Sequence, residues 1–261
     1  MVLFFSVAFL ASVIGAICGI GGGVIIKPVL DWLHMESAAA VNFLSACTVL
    51  SMSCYSVVRT AMARAHQVEP KTGVPLNIGA ALGGLGGNFL FHLVRGMFAN
   101  QNRVSAVQAV CLAAVTLGTL LYELKKDRIR TRKTEGFWPC ALIGLALGVM
   151  SSFLGIGGGP INLVVLFFFF GMDTKTAAVN SLYVILFSQL MNIATAVITG
   201  AVPAFSRGVL IVMIIGGISG GILGRIINRR IEAKTVDKLF IGLMAVIICV
   251  SVYNALQYTI L

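Results

Sequence analysis

Charge is scarce in this sequence. Only 11% of its 261 residues are Asp, Glu, Lys or Arg, against 58% hydrophobic, whereas soluble domains carry roughly 25% charge. Mean hydropathy is +0.98. Polar punctuation this sparse excludes a soluble domain of any size, so the chain reads as an integral membrane protein whose one body is a bundle of apolar segments. Acidic residues are scarcer still, 9 against 19 Lys and Arg, for a formal charge of +10. Nucleic-acid binders share that balance, but here the bases cluster in short loops between apolar runs, as cytoplasmic loops do, and no nucleic-acid partner is implied. Met1 to Phe5 hold no Lys or Arg, unlike the basic start of a cleaved signal peptide.

Reactive constellations are missing too. The six cysteines (Cys18, Cys47, Cys54, Cys111, Cys140, Cys249) contain no C-x-x-C pair and sit almost entirely in apolar runs, which makes them buried thiols. His34, His66 and His92 lie far apart and belong to no H-E-x-x-H set, so they argue for no metal or cofactor. The glycine runs lack the following Lys-Ser/Thr of a nucleotide-binding loop. No acidic residue falls in the middle of a full-length apolar segment: Asp31 and Glu36 flank the end of a short one, and the others lie in loops. These gaps count against an enzyme.

Glycine, by contrast, is abundant and patterned. Gly19-Ile20-Gly21-Gly22-Gly23 recurs half a chain later as Gly155-Ile156-Gly157-Gly158-Gly159. Such a run breaks a helix, frees the backbone for φ > 0 and admits a close neighbour. In lipid a broken helix is tolerated only where its freed N–H and C=O groups are buried in protein or line a wet cavity. Apolar stretches starting at Val24 and at Pro160 read as helices that begin at each break, and proline favours a first turn. A helix start presents unpaired N–H groups and the positive dipole end, which attract anions. The two breaks are expected to face each other as halves of one anion site.

Apolar segments run at about 2–18, 24–33, 37–58, 73–94, 104–122, 137–154, 160–171, 176–199, 208–228 and 239–260. A full span needs about 20 residues, and 24–33 and 160–171 reach only about half way. Each either continues the preceding helix through a kink or returns as the second arm of a re-entrant hairpin. Loop charge favours the hairpins. The linker carries Lys125, Lys126, Arg128, Arg130, Arg132 and Lys133 and belongs inside. Loop 59–72 carries Arg59, Arg64 and Lys71 while its partner 200–207 carries only Arg207. Loop 95–103 carries Arg95 and Arg103 while its partner 225–238 carries Arg225, Arg229, Arg230, Lys234 and Lys238. The bias changes side between halves, as in an inverted repeat, which needs an odd number of crossings per half. The fold expected is therefore an all-α membrane protein of two homologous halves, residues 1–123 and 137–261, joined by a basic cytoplasmic linker at 124–136. Each half holds a Gly-tipped hairpin plus three transmembrane helices, with both termini outside.

The duplication extends past the tips. Ala39-Ala40-Val41-Asn42 matches Ala177-Ala178-Val179-Asn180, and Gly79, Gly83, Gly84 and Gly87 match Gly216, Gly220, Gly221 and Gly224 at nearly the same offset. The second set forms small-x-x-x-small stripes, which let one helix of each half pass tightly against the hairpins or serve a homodimer.

With the paired G-x-G-G-G at 19–23 and 155–159, and each apolar arm followed by a helix opening with an Asn, the chain resembles the TauE/SafE family, the sulfite exporters, over almost its whole length. The second tip departs from the first in carrying Pro160 directly, where the first has Val24 and a later Pro28. The resemblance implies secondary transport, as an exporter, of sulfite or a small organosulfonate such as sulfoacetate across the bacterial inner membrane. An anion channel, or the membrane subunit of a sulfur-metabolism enzyme, is the alternative. Coupling to protons or another ion, through His92 or the anion's own charge, is left open, as is monomer or homodimer.

A strongly hydrated oxyanion at membrane depth must exchange its water for protein donors. Main-chain N–H groups at Gly21, Gly22, Gly23, Gly157, Gly158 and Gly159 supply them without bulk. Asn42 and Asn180 add amides, or else cap helices. Ser181, Ser188 and Asn192 share one helix face and, with Ser45 and Thr48, line a pathway or bond helices together. Lys27, four residues past Gly23, supplies a charge if it faces the site and snorkels if it does not.

Overall fold

A computed structural model describes residues 1–33, 35–62, 70–97 and 101–260. His34, His66 and Arg64 lie outside the described residues. The described residues form ten α-helices and no strand: α1 Val2–Cys18, α2 Gly23–Leu33, α3 Ala38–Met62, α4 Pro70–Met97, α5 Gln101–Lys125, α6 Phe137–Leu154, α7 Gly159–Phe170, α8 Thr174–Ile198, α9 Arg207–Arg230 and α10 Ala233–Ile260. Seven of them, α3 to α6 and α8 to α10, are long and apolar enough to cross a bilayer. That is one more than the six full spans expected. α6, at 18 residues, just reaches the length at which α1, at 17, stops short.

Local chemistry sets the boundaries. Gly19, Gly155 and Gly171 end α1, α6 and α7 in the left-handed conformation, which frees their N–H groups to bond carbonyls of the last turn. Pro160 occupies the first turn of α7, where a missing N–H costs nothing. Asp173 caps α8, accepting from the N–H of Lys175 at 3.0 Å and of Thr176 at 3.1 Å. Burial pushes its carboxyl up, but the bonds from Thr176 and Lys175 outweigh that and hold it below its ordinary value. Arg229 and Arg230, expected in a loop, are helical together with residues 225–228 of the segment drawn at 208–228, because α9 continues to Arg230 before a break of two residues.

Hydrogen bonds identify the two ends of the bundle. At one end, Lys126 pairs with Glu123 at 2.6 Å and with Asp237 at 2.7 Å, and Asp237 also accepts from Thr174. This gathers the end of α5 with the starts of α8 and α10. The linker joins them, since the N–H groups of Arg132 and Thr134 donate to the carbonyls of Phe168 and Phe169. The last turn of α7 therefore lies beside the segment that leads into α6. At the other end, Asn254 and Tyr258 of α10 donate to the carbonyls of Pro28 and Asp31 in α2. There Phe4 and Ala8 of α1 cluster with Ile26 and Leu30 of α2 and with Val209 and Met213 of α9, so α2 returns along α1 to the end where α1 begins.

The closest packing is between halves. α9 runs along α1 and α4 along α6, with glycines turned to the partner backbone. A Cβ on Gly220 would lie 2.4 Å from the Phe9 carbonyl oxygen, and one on Gly83 would lie 2.2 Å from that of Leu145. No side chain fits at such distances, so the stripes serve the chain's own core. The cysteines are all free. Cys18 and Cys140 are buried as expected, whereas Cys54 and Cys249 are exposed on the outside of the bundle. Among the described residues no group of His, Cys, Asp or Glu is placed to hold a metal ion.

Gly83→Val and Gly220→Val should each destabilise the detergent-solubilised protein by about 1–3 kcal/mol or more. Thermal unfolding and size-exclusion profiles measure this, and unchanged profiles would refute the close approach. Asp173→Ala should cost about 1 kcal/mol at neutral pH. Because the folded-state carboxyl is the more acidic, its contribution is full above the ordinary carboxylate range. The difference between wild type and variant should shrink as pH falls through and below that range.

Candidate functional site

The two glycine turns meet inside the bundle. Gly21 and Gly157 adopt φ of 74° and 77°, so both turns are built on backbone that side chains strain. A Cβ on Gly23 would lie 2.5 Å from the carbonyl oxygen of Ile156, and one on Gly159 would overlap the Val24 side chain. The same two side chains, Val49 of α3 and Ile185 of α8, flank both Gly21 and Gly157. α2 and α7 therefore begin side by side, with the positive ends of both dipoles together. No side chain caps α7 at Gly158. Two like-signed helix ends in contact repel, and a negative group relieves that repulsion.

The surrounding polar atoms are short of partners. Ser12 Oγ lies against Gly22, where a Cβ would approach to 3.1 Å. The Asn162 amide lies against Gly158, and the Asn42 amide against Gly155. Ser45 and Ser181 stand one helical turn before Val49 and Ile185. Ser12 Oγ, Asn42 Oδ1, Ser45 Oγ, Ser181 Oγ and both amide atoms of Asn162 are buried without a hydrogen-bond partner in the protein. Asn162 is 0% exposed. Buried polar groups are nearly always satisfied, so such a concentration calls for a ligand or water.

A cavity approaches each turn from its own side. The larger, about 240 Å³, is lined by Lys175, Arg225, Asn228 and Arg229 and reaches the first turn at Ala16 and Ala178, the latter packed on Gly19. Arg225 is held by bonds from Nη1 to the Ser56 carbonyl at 2.8 Å and to Thr60 Oγ1 at 2.6 Å. Among the described residues no carboxylate pairs with Lys175, Arg225 or Arg229. The smaller, about 50 Å³, is lined by Asn42, His92, Arg95, Ser152, Gly155 and Asn192. A polar chain runs from its wall into the bundle: Asn88 donates to Asn192 at 2.7 Å, Gln189 donates to Ser151 at 3.2 Å, and Ser151 lies 3.2 Å from Ser188. Arg225 follows Gly224 as Asn88 follows Gly87, so matched positions of the two halves guard the two cavities.

The structure thus brings Gly21, Gly22, Gly23, Gly157, Gly158, Gly159, Asn42 and Ser181 to one junction. Asn180 is buried but bonds back to the Thr176 carbonyl of its own helix at 2.9 Å. Lys27 is 3% exposed and neither snorkels nor stands alone. It pairs with Asp31 at 3.3 Å and donates to Gln108 Oε1 at 3.1 Å. Asp31, read from the sequence as flanking the end of a short apolar segment, is itself buried. Sequence reasoning missed Asn162, Lys175, Arg225, Asn228 and Arg229. The last group was legible as i, i+3, i+4 on one helix face, had α9 been extended through its basic end.

Comparison with known proteins gives this site its context. The family model described as "Sulfite exporter TauE/SafE" matches residues 4–251. The chain is 23% identical over 214 residues to the "Probable membrane transporter protein YunE" of Bacillus subtilis (strain 168), covering 74% of this chain and 77% of that one. No solved structure matches. A family match over nearly the whole length, on a bundle of apolar spans around two touching glycine turns, means that this protein belongs to the TauE/SafE family of membrane transporters.

Proposed function

We propose that this transporter is a carrier that exports a small anion, such as sulfite or an organosulfonate, by alternating access around the junction of the two glycine turns in a bacterial inner membrane. The observation that carries the reading is that junction: two helix starts in contact, ringed by buried polar atoms without partners. Main-chain N–H groups of Gly21 to Gly23 and Gly157 to Gly159 take the place of the anion's water, with Asn42, Asn162 and Ser181 beside them. Asn42 presents either end of its amide by a simple rotation of its side chain.

Alternating access follows from an inverted repeat, and the packing supports one. Exchanging the halves turns the α1–α9 contact into α6–α4, α3–α9 into α8–α4, and α2–α10 into α7–α5, and every one of these pairs is in contact. In this reading α1–α2 and α6–α7 are re-entrant hairpins that enter from opposite faces, flanked by three full spans in each half. The basic end faces the cytoplasm, together with linker 124–136, and both termini face out. The cavity at the cytoplasmic end is the larger and carries Lys175, Arg225 and Arg229, which suits capture of an anion from inside. The cavity at the other end is small, with the Asn88–Asn192 bond in its wall. A monomer contains the whole site.

Proteoliposomes loaded with labelled sulfite should release it through the wild-type protein, and external sulfite should accelerate that release, as a carrier requires and a pore does not. Gly22→Leu and Gly158→Leu should abolish flux while the protein remains monodisperse. If both variants fold and transport as wild type does, the site lies elsewhere. Arg225→Gln should raise the KM for the anion on the cytoplasmic side by about ten- to a hundredfold, the effect of losing one charge-assisted hydrogen bond of ~1.5–3 kcal/mol. An unchanged KM would remove Arg225 from the path.

A further inference from the structure

Lys27 and Asp31 form an ion pair buried in the bundle, at 3% and 8% exposure, and the second half has no equivalent, since the matching arm from Pro160 to Phe170 carries no charge. Charges at membrane depth are costly and are kept where they do something. The pair touches the transport machinery directly. Lys27 lies one turn beyond Gly23 and donates to Gln108, whose amide donates to the Phe153 carbonyl at 2.6 Å, just ahead of the second glycine turn.

The carboxylate is only half used. Asp31 Oδ2 holds Lys27, while Asp31 Oδ1, Asn254 Oδ1 and Ser251 Oγ are buried without partners. Asp31, Asn254 and Ser251 line one cavity of about 10 Å³, the size of a single water. Both carbonyl-type oxygens belong to residues that line one small space, and the protein supplies neither with a hydrogen. Three cavities lie in succession: Phe91 and Arg95 line both the smaller vestibule and a neighbouring cavity, which shares Gln108 with the cavity at Asp31. The charged and titratable groups facing Asp31 are few among the described residues. Lys27 comes from its own helix and Tyr258 from α10. α1 has no charged residue, and the single charge of α3, Arg59, lies at its far end. Of α5, Gln108 faces the pair while Arg103 is exposed.

We propose that Asp31 is the proton site of the transport cycle and that proton and anion bind together, an inference that rests on the carrier reading above. A proton from water adds to Asp31 Oδ1, and the new O–H donates to Asn254 Oδ1 or, through one water, to Ser251. The pair passes from neutral to a net charge of +1, carried by Lys27, which compensates the anion held at the glycine junction. On the side where the anion leaves, the carboxylic acid returns its proton to water and Lys27 is again neutralised by Asp31. One proton accompanies each anion, so the membrane potential contributes less than the anion's charge alone would give, and export proceeds while the outward anion gradient exceeds the inward proton gradient.

Infrared spectra of the lipid-reconstituted protein, recorded during a pH titration without any anion, test proton binding directly. A carbonyl stretch of a protonated carboxylic acid should grow in on acidification and be missing from Asp31→Asn. If no such band separates the two proteins across the range where both stay folded, the proposal is overturned. Should the single variant not fold, Lys27→Gln combined with Asp31→Asn removes both charges and serves the same comparison. In proteoliposomes, a pH gradient should drive labelled sulfite accumulation by wild type. Asp31→Asn should lose that accumulation yet keep exchange of internal for external sulfite. Gradient-driven accumulation that survives Asp31→Asn also overturns the proposal. If the wild type moves no sulfite, the sulfite reading fails separately, and the infrared titration still decides the fate of Asp31.

Discussion

Backbone hydrogen bonding in lipid is the constraint on which this structure depends. Inside the hydrocarbon region an unpaired N–H or C=O has no water to turn to, so a helix interrupted there must hide its ends inside protein. This chain interrupts two helices, at Gly19 to Gly22 and at Gly155 to Gly158, and hides each break against the other. The rest of the bundle follows from that need. α3 and α8 supply Val49 and Ile185 to wall the junction, and α9 and α4 lie along α1 and α6 to shield the arms that lead to it. Glycine makes both parts feasible, since it permits the left-handed turns and lets neighbouring backbones approach within the thickness of a side chain.

The same constraint explains where the polar chemistry sits. Breaking two helices creates donors, and bringing their starts together sums two positive dipole ends at one point. Serine and asparagine side chains surround that point with atoms whose partners the protein does not supply. An anion satisfies both demands at once, with hydrogen bonds for the donors and charge for the dipoles. Such a site needs no acidic, metal or nucleophilic group, which fits a transporter family and a chain poor in charge.

Symmetry and its violation divide the labour. The halves match in helix order, in glycine stripes and in crosswise packing, which gives each glycine turn a cavity of its own. They differ in what fills matched positions: Arg225 where the other half has Asn88, and Lys27 with Asp31 where the other half has Leu163 and Phe167. The first difference places a guanidinium in the larger cavity and an amide–amide hydrogen bond in the wall of the smaller one. The second plants a neutral pair of charges beside only one turn. In the carrier cycle proposed above, the matched frame supplies two states of similar energy and the unmatched residues bias them.

Much of this was legible beforehand, for a physical reason. Apolar segment ends, the paired glycine runs and the Ala-Ala-Val-Asn repeat are one-dimensional signals, because a membrane helix is defined by local composition and length. The helices fall within a few residues of the segments drawn from sequence, and the meeting of the two glycine turns was anticipated from their duplication alone. What stayed hidden depends on which faces meet. Asn162 read as one residue of an apolar arm until its amide was seen at Gly158, and Arg225 read as a loop charge until α9 carried it into a cavity. Asp31 read as a flanking residue until Lys27, Asn254 and Tyr258 closed around it. Composition and period decide that a segment is helical and apolar. Only the packed structure decides which of its few polar side chains turn inward, because that is settled by neighbours far away along the chain.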